Sequence, residues 1–445
     1  MKIILKNTIQ IITHSDNEKQ IIKQFTFNNP KHKEAESFGR STYGIDRTLC
    51  LVYQSDKGTY APIGTLNYLI ETFNPCCEDS RSTVTVTIPF TGTLRPYQEQ
   101  FINSALMAGG GQCIATTGAG KTVCAIAIAS RLKQRTLILV KSKDLAKQWQ
   151  DAIKQFTELE CGLIGGGKNT EGEQFTIGLT QTLSKRDCSL LNYGLVIADE
   201  CHNLPANQAY NVINGLNAKY KYGLSATPQR RDNMEFMING AVGGRCAEIN
   251  QSELNGKVLP VAIKAIEHEF NAEVDSWTGF INALVDDKAR NLIVISHAIN
   301  ASEAMGTIIL CAQVRHCELL SSLCCEAGIN ALTLHGQLPT KERANRMKSA
   351  PNAPLIIGTL SLLSEGIDLP HLKALIFATP VSATIDKENP AATRLIQSIG
   401  RCRRPYKKNT QAFVLDIIDQ CGFGVSAWKK RATIYQQQGF KVIRR

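Results

Sequence analysis

"QCIATTGAGKTVCAIAIASRLK", residues 112–133, decides the fold. A short apolar strand, QCIA, runs into a loop carrying Gly118 and Gly120, and a helical pattern begins at once behind it. Strand, glycine loop and helix in that order open a βαβ unit, the crossover that parallel strands require. The glycines let the backbone curl so that its N–H groups and the helix N-terminus face an anion. The spacing G-x-x-x-x-G-K-[ST] is met except at its first position, where Ala115 stands in place of glycine. Thr117, Gly118, Ala119 and Gly120 then form a phosphate cradle, Lys121 reaches the β- and γ-phosphates of ATP, and the Thr122 hydroxyl is placed for Mg2+.

Outward from this stretch the same rhythm continues. TLILVK, FTIGLT, LVIADE and KYGLSAT read as short buried strands, and KDLAKQWQDAIKQF reads as a helix between them. Leu145, Trp149, Ile153 and Phe156 share one face of that helix, so Trp149 is most simply core. The glycine-rich NGAVGGR at 239–245 and SELNGKVLP at 252–260 interrupt the pattern. It resumes with NLIVISH, ALTLHG, PLIIGT, ALIFATP and AFVLDII, each expected as a strand. This alternation implies an α/β chain with two tandem domains built on parallel sheets, 91–250 and 251–445. Residues 1–90 differ: TLCLVYQ and STVTVTIPF alternate, and DKG at 56–58 marks a turn, which suggests a small β-rich accessory domain.

The strand LVIA ends in adjacent carboxylates, Asp199 and Glu200. Like charges at the mouth of an apolar strand cost stability unless a cation accounts for them. Beside a P-loop the cation is Mg2+: Asp199 holds it through water, and Glu200 orients or deprotonates an attacking water.

The chain has 445 residues, 43% hydrophobic and 20% charged, an ordinary globular balance. A net charge of +11 biases it toward polyanions, although a basic surface also serves solubility. The fifteen cysteines lack any C-x-x-C spacing and fit reduced thiols better than a disulfide scaffold. His316, Cys317, Cys324 and Cys325 match no common zinc spacing and read as core. No stretch approaches the ~18 apolar residues of a membrane span, so a soluble, cytoplasmic protein is expected.

Taken together, LRPYQ at 94–98, ATTGAGKT at 115–122, KSKDLAKQW at 141–149, LTQTL at 179–183, DECH at 199–202 and SAT at 225–227 resemble the first six motifs of a superfamily 2 helicase core, in the family's order. LIVISH at 292–297, IGTLSLLSEGIDLP at 357–370 and QSIGRCRR at 397–404 resemble motifs IV, V and VI. The resemblance implies two RecA-like domains. It implies that Gln98 contacts adenine, that Asp368 approaches the ribose, and that Arg401 and Arg404 act as arginine fingers from the second domain. It implies that His202, Ser225, Thr227 and Gln397 couple the nucleotide state to the grip on nucleic acid. Backbone contacts to the track would fall to Ser142, Thr180, Gln181 and Thr359, each of which serves equally as a cap or turn residue. DECH, QSIGRCRR and GLSATPQRRDN look most like the UvsW-type phage branch-migration helicases, whose implied substrate is branched DNA. A duplex translocase that leaves strands paired, and an ATP-gated DNA clamp, would carry the same core motifs.

Overall fold

The structure is a computed structural model. It describes every residue except 57, 117, 204–205, 227–232, 251–252, 254–257, 361–368, 382–392, 405, 407–408 and 445, and it omits the side chains of 203, 206, 340, 393–394 and 397. The chain divides into two compact units, Met1–Asn250 and Gln251–Arg445.

The first unit begins with a mixed leader. Strands β1 (Lys2–Leu5), β2 (Thr8–Ile12), β5 (Tyr53–Ser55), β6 (Gly58–Pro62) and β7 (Cys76–Asp79) form a sheet in the order β5-β6-β2-β1-β7. Strands β3 (Thr26–Asn28) and β4 (Thr48–Cys50) pair separately, so the alternation of TLCLVYQ is divided between two sheets. Three helices, α1 (Ser15–Gln24), α2 (Pro30–Ser37) and α3 (Leu66–Phe73), accompany the strands. The leader is therefore β-rich but not all-β.

STVTVTIPF makes no strand in the leader. It runs as a strap bonded to the larger domain: Val84 N–H donates to Gln134 Oε1 at 2.8 Å, Val86 N–H to the Lys133 carbonyl at 2.9 Å, and the Val84 carbonyl accepts from Arg135 N–H at 2.8 Å. Alternation supplies two faces, but the pairing stops at isolated bridges, Thr85 antiparallel to Gln134 and Ser82 parallel to Ala218, and does not extend into a ladder.

The parallel sheet of this unit comprises β8 (Gly110–Ala115), β9 (Thr136–Val140), β10 (Gly162–Gly165), β11 (Lys168–Thr170), β12 (Phe175–Leu179), β13 (Leu195–Ala198), β14 (Tyr220–Ser225) and β15 (Arg245–Ile249). Their order is β11-β10-β12-β9-β13-β14-β8-β15, parallel throughout except for β10 with β11. Helices α4 (Pro96–Ala108), α5 (Lys121–Leu132), α6 (Lys143–Thr157), α7 (Thr180–Leu183), α8 (Ala206–Gly215) and α9 (Glu235–Val242) connect them. β9 and β13 are buried along their whole length, as parallel strands covered on both faces must be.

The leader is seated on α9. Phe27 stacks on Phe236 with ring centroids 4.5 Å apart, and Leu51 is buried with Met234 and Met237. Gly64 approaches the Asn239 and Gly240 carbonyls so closely that a Cβ there would strike them. Below this seam Lys221, 2% exposed, donates from Nζ to the Ile213 carbonyl at 2.8 Å and to the Asn7 carbonyl of the β1–β2 turn at 3.1 Å.

Among the described residues the second unit has a seven-stranded, wholly parallel sheet: β16 (Val261–His268), β17 (Gly306–Cys311), β18 (Leu332–Leu334), β19 (Leu355–Thr359), β20 (Leu372–Phe377), β21 (Ala412–Asp419) and β22 (Lys441–Arg444), ordered β18-β19-β17-β20-β21-β16-β22. Among the described residues its helices are α10 (Trp277–Asp286), α11 (Lys288–Ala304), α12 (Val314–Glu326), α13 (Thr340–Ser349), α14 (Thr393–Cys402) and α15 (Gly422–Gln437). NLIVISH, expected as a strand, lies inside α11. Asp287 caps that helix by accepting from Arg290 N–H, and Val294, Ile295 and Ala298 are buried while Leu292 is exposed. The likeness of LIVISH to motif IV fails with it, and the strand that follows is GTIILC, β17. A four-residue apolar run fits either period, and here the cap decides for the helix.

His316, Cys317, Cys324 and Cys325 all sit on α12. His316 is buried between Asn291 Oδ1 at 2.9 Å and Thr379 Oγ1 at 3.3 Å, and burial lowers its pKa to about 3, so it is a neutral core residue. Among the described residues no helix is long and apolar enough to cross a membrane.

Candidate nucleotide site

Parallel strands deliver their following loops to one edge of a sheet, and the order β9-β13-β14-β8 brings four such loops together. β8 leads to the P-loop, β13 to Asp199 and Glu200, β14 ends at Ser225, and β9 leads to Ser142.

The P-loop adopts the form that its glycines permit. Gly118 and Gly120 have φ of +91° and +87°, in the left-handed region where a side chain is strained. A Cβ on Gly120 would also strike the Gln98 amide. α5 starts at Lys121 with Gly120 as N-cap and no side-chain cap, so the first-turn N–H groups and the positive end of a twelve-residue helix face outward for an anion. Thr122 lies in that first turn, Ala119 N–H bonds the Thr116 carbonyl at 3.0 Å, and Thr117 lies outside the described residues.

Gln98 braces this loop. Its Oε1 accepts from Arg95 N–H at 2.9 Å, and its Nε2 donates to the Ala119 carbonyl at 2.9 Å. The side chain expected against adenine is thus buried against the cradle itself, and the loop shape depends on it.

Lys121 Nζ and Glu200 Oε1 form an ion pair at 2.7 Å. Glu200 sits at φ +45°, a left-handed conformation that is costly for a residue with a side chain and turns the chain sharply after β13. Asp199 is buried, with Oδ1 accepting from Glu200 N–H at 2.9 Å and Oδ2 from the Trp149 indole at 2.7 Å. Burial, reinforced by the Glu200 charge, pushes the Asp199 pKa up to about 6, while Lys121, Trp149 and the Glu200 N–H act against this rise. Trp149 is therefore core, as its helical stripe implies, and also a hydrogen-bond donor into the site, which the stripe does not reveal.

His202 Nδ1 lies 2.7 Å from Ser225 Oγ and 3.4 Å from Glu200 Oε2. The DECH and SAT segments are thereby joined, and Glu200 is linked on one side to Lys121 and on the other to His202. Cys201 packs over Gly223, where a Cβ would meet its sulfur at 3.0 Å. Thr227 and Asp368 lie outside the described residues, as does the Gln397 side chain.

The edge residues expected to meet a polymer divide. Ser142 is the N-cap of α6, its Oγ accepting from Leu145 N–H at 3.3 Å. Thr180 is 1% exposed and donates to the Val140 carbonyl at 3.2 Å, tying β12 to β9. Its hydroxyl is structural, which corrects the expectation of a track contact there. Thr359, at the end of β19, is likewise buried, whereas Gln181 is exposed.

In the second unit Arg401 lines a small interior cavity with Ile308, Leu310, Leu369, Ser398 and Cys402. Arg404 is half-buried, and burial lowers its pKa. Arg403 is buried: Nε donates to the Leu259 carbonyl at 3.2 Å and the guanidinium lies over Phe440.

The residues suit a magnesium nucleotide. An uncapped helix N-terminus, a lysine and a strand-end acid pair meet at one edge. Among the described residues no three His, Cys, Asp or Glu side chains converge as a metal cage, so a divalent ion here would be held largely by water and phosphate beside Asp199 and Thr122.

Comparison with known proteins agrees with this geometry. The model for the type III restriction enzyme res subunit matches residues 91–230, and that for the helicase conserved C-terminal domain matches 287–405. The chain belongs to the superfamily 2 helicases, by class ATP-dependent hydrolases. It is 27% identical to a protein of Acanthamoeba polyphaga mimivirus named as an ATP-dependent RNA helicase, over 74% of this chain and 65% of that one. It is 33% identical to the DNA 3'-5' translocase XPB2 of Sulfurisphaera tokodaii, over 37% of this chain and 38% of the relative. The chain thus spans about two thirds of the first relative and well under half of the second. The crystal structure of T4 UvsW aligns with 100% of this chain and 99% of its own at 18% identity, with a TM-score of 0.44.

Proposed function

We propose that this chain is a DNA-stimulated ATPase that moves along DNA and remodels branched forms such as forks and four-way junctions. One observation carries the ATPase half: the P-loop lysine meets the strand-end glutamate at 2.7 Å, beside an uncapped helix N-terminus. Lys121 neutralises the β- and γ-phosphates, the Thr122 hydroxyl and, through water, Asp199 would hold Mg2+, and Glu200, once released from Lys121, orients or deprotonates the attacking water. Bound Mg2+ neutralises phosphate charge. The roles of Gln98 at adenine, of Asp368, Arg401 and Arg404 at the nucleotide, and of His202, Ser225, Thr227 and Gln397 in coupling belong to the same proposal. So do the boundaries of a leader at 1–90 and domains at 91–250 and 251–445, and a site of action in the cytoplasm of a host cell.

The choice of DNA rests on the basic excess and on the translocase relative. Residues 1–90 carry ten Lys and Arg against nine Asp and Glu, so the excess lies in the two α/β units, where a phosphate track is expected. A duplex translocase without strand separation is the second reading, favoured by the restriction-subunit model and by the name of that relative.

Steady-state ATPase assays without polymer, then with single-stranded DNA, forked DNA and RNA, test the enzyme and the track together. The proposal expects the strongest stimulation by forked DNA. Stimulation by RNA alone would refute the DNA assignment. Conversion of a synthetic junction supports remodelling, whereas removal of a third strand from a triplex without strand separation supports the second reading.

A further inference from the structure

Trp149 and Asp199 lie fifty residues apart, on α6 and directly after β13, and meet as donor and acceptor at 2.7 Å. Trp149 is 2% exposed and Asp199 8%, so water does not compete for the bond. The second carboxylate oxygen is taken by Glu200 N–H at 2.9 Å. Two donors on two oxygens fix the plane of the carboxylate and leave each oxygen one lone pair. Packing alone accounts for a buried ring on the inner stripe of a crossover helix. It does not account for the acceptor, which is the strand-end acid beside the P-loop.

We propose that Trp149 is a positioning residue for Asp199, its indole N–H fixing the orientation in which that carboxylate holds the divalent ion of a bound nucleotide. The inference rests on the reading of Asp199 as the ion-holding carboxylate. Partners that orient direct metal ligands are worth about 10- to 100-fold in affinity or activity, and because Asp199 acts through water the effect here is expected at the low end, about tenfold. The bond also explains why an indole serves at position 149 and not simply a large hydrocarbon: phenylalanine would fill the stripe and leave the carboxylate free to turn.

The test begins with Trp149→Phe, which keeps an aromatic ring and removes the donor. Binding of Mn2+ to the ADP complex, followed by electron paramagnetic resonance, weakens about tenfold, while ADP binding in the presence of a chelator stays unchanged. A second measurement needs no variant at that position. The chain has three tryptophans, Trp149, Trp277 and Trp428, so 15N-indole spectra contain three signals, assignable with Trp277→Phe and Trp428→Phe. The Trp149 signal shifts when Mg2+ joins the ADP complex and does not shift with ADP and chelator. An unchanged Mn2+ affinity in Trp149→Phe, or an indole signal indifferent to Mg2+, overturns the proposal. Asp199→Asn separates this from the parent reading: if it weakens Mn2+ binding and Trp149→Phe does not, the positioning role alone fails. If Asp199→Asn binds Mn2+ normally, the assignment of Asp199 fails and the positioning role falls with it.

Discussion

Both units place charges at the C-terminal ends of a parallel sheet, and they treat them in opposite ways. In the first, Lys121 and Glu200 keep 14% and 22% of their side chains exposed, and Glu200 also touches His202. In the second, Arg290 and Asp419 are sealed at 0% and 1%, Nε to Oδ1 at 2.7 Å, with a further guanidinium bond to the Ala378 carbonyl. Arg431 grips Asp416 with two bonds of 2.8 and 2.9 Å, and Tyr435 donates to the same carboxylate. On the proposed function, an ion pair that has to open for phosphate stays within reach of solvent, whereas one that orders a helix against a strand is closed off. The same fold uses charge for exchange in one sheet and for fixation in the other.

The largest expected effect breaks the exchangeable side. Glu200→Gln removes the proposed base and lowers ATP turnover roughly 10² to 10⁴-fold, with ATP still bound and melting temperature little changed; normal turnover by steady-state assay would reassign the base. Arg290→Met breaks the sealed side. It leaves Asp419 buried and unpaired, and destabilises the second unit by about 3–5 kcal/mol, read by denaturant unfolding. Were Arg290→Met to lower turnover while leaving unfolding unchanged, the division between the sheets would not hold.

A smaller effect concerns Lys221, the buried amine between leader and sheet. Burial, aided by Arg81, lowers its pKa from 10.5 to about 7. The unfolded chain then holds more protons than the folded one between those values, so stability rises with pH from about 7 toward 10.5 and the gain is absent below 7. Each unit in that window is worth up to about 1.4 kcal/mol. Lys221→Met removes this slope, and parallel slopes for the two proteins in urea unfolding from pH 7 to 9 would show that the amine stays charged.

How much of this is legible in the sequence follows from the range of the interaction. The P-loop is local: glycine, lysine and threonine at fixed spacing between strand and helix, with φ values that require glycine at 118 and 120. Asp199 and Glu200 are legible for the same reason, as acids ending an apolar strand. LIVISH misleads because four apolar residues suit either period, and only the Asp287 cap and the exposed Leu292 mark it as helix. Partners brought together by the sheet order are not written locally. The Trp149 donor finds its acceptor fifty residues on, and the Thr180 hydroxyl finds the Val140 carbonyl forty residues back. The leader seam on α9 is of the same kind, since nothing near Phe27 in sequence points to Phe236.

Ser142 gives the finest test, because it stands on the exchangeable edge while making a fixed bond. Its hydroxyl caps α6, so Ser142→Ala costs about 1 kcal/mol of stability, whereas Ser142→Gly costs only a few tenths because glycine is tolerated at an N-cap. A hydroxyl that also met a DNA phosphate would be missed equally in both variants. If capping is its whole role, alanine and glycine differ in melting temperature and bind DNA as the parent does. An equal loss of DNA affinity in the two, with the glycine protein still stable, would move Ser142 from scaffold to track and extend the exchangeable surface beyond the nucleotide.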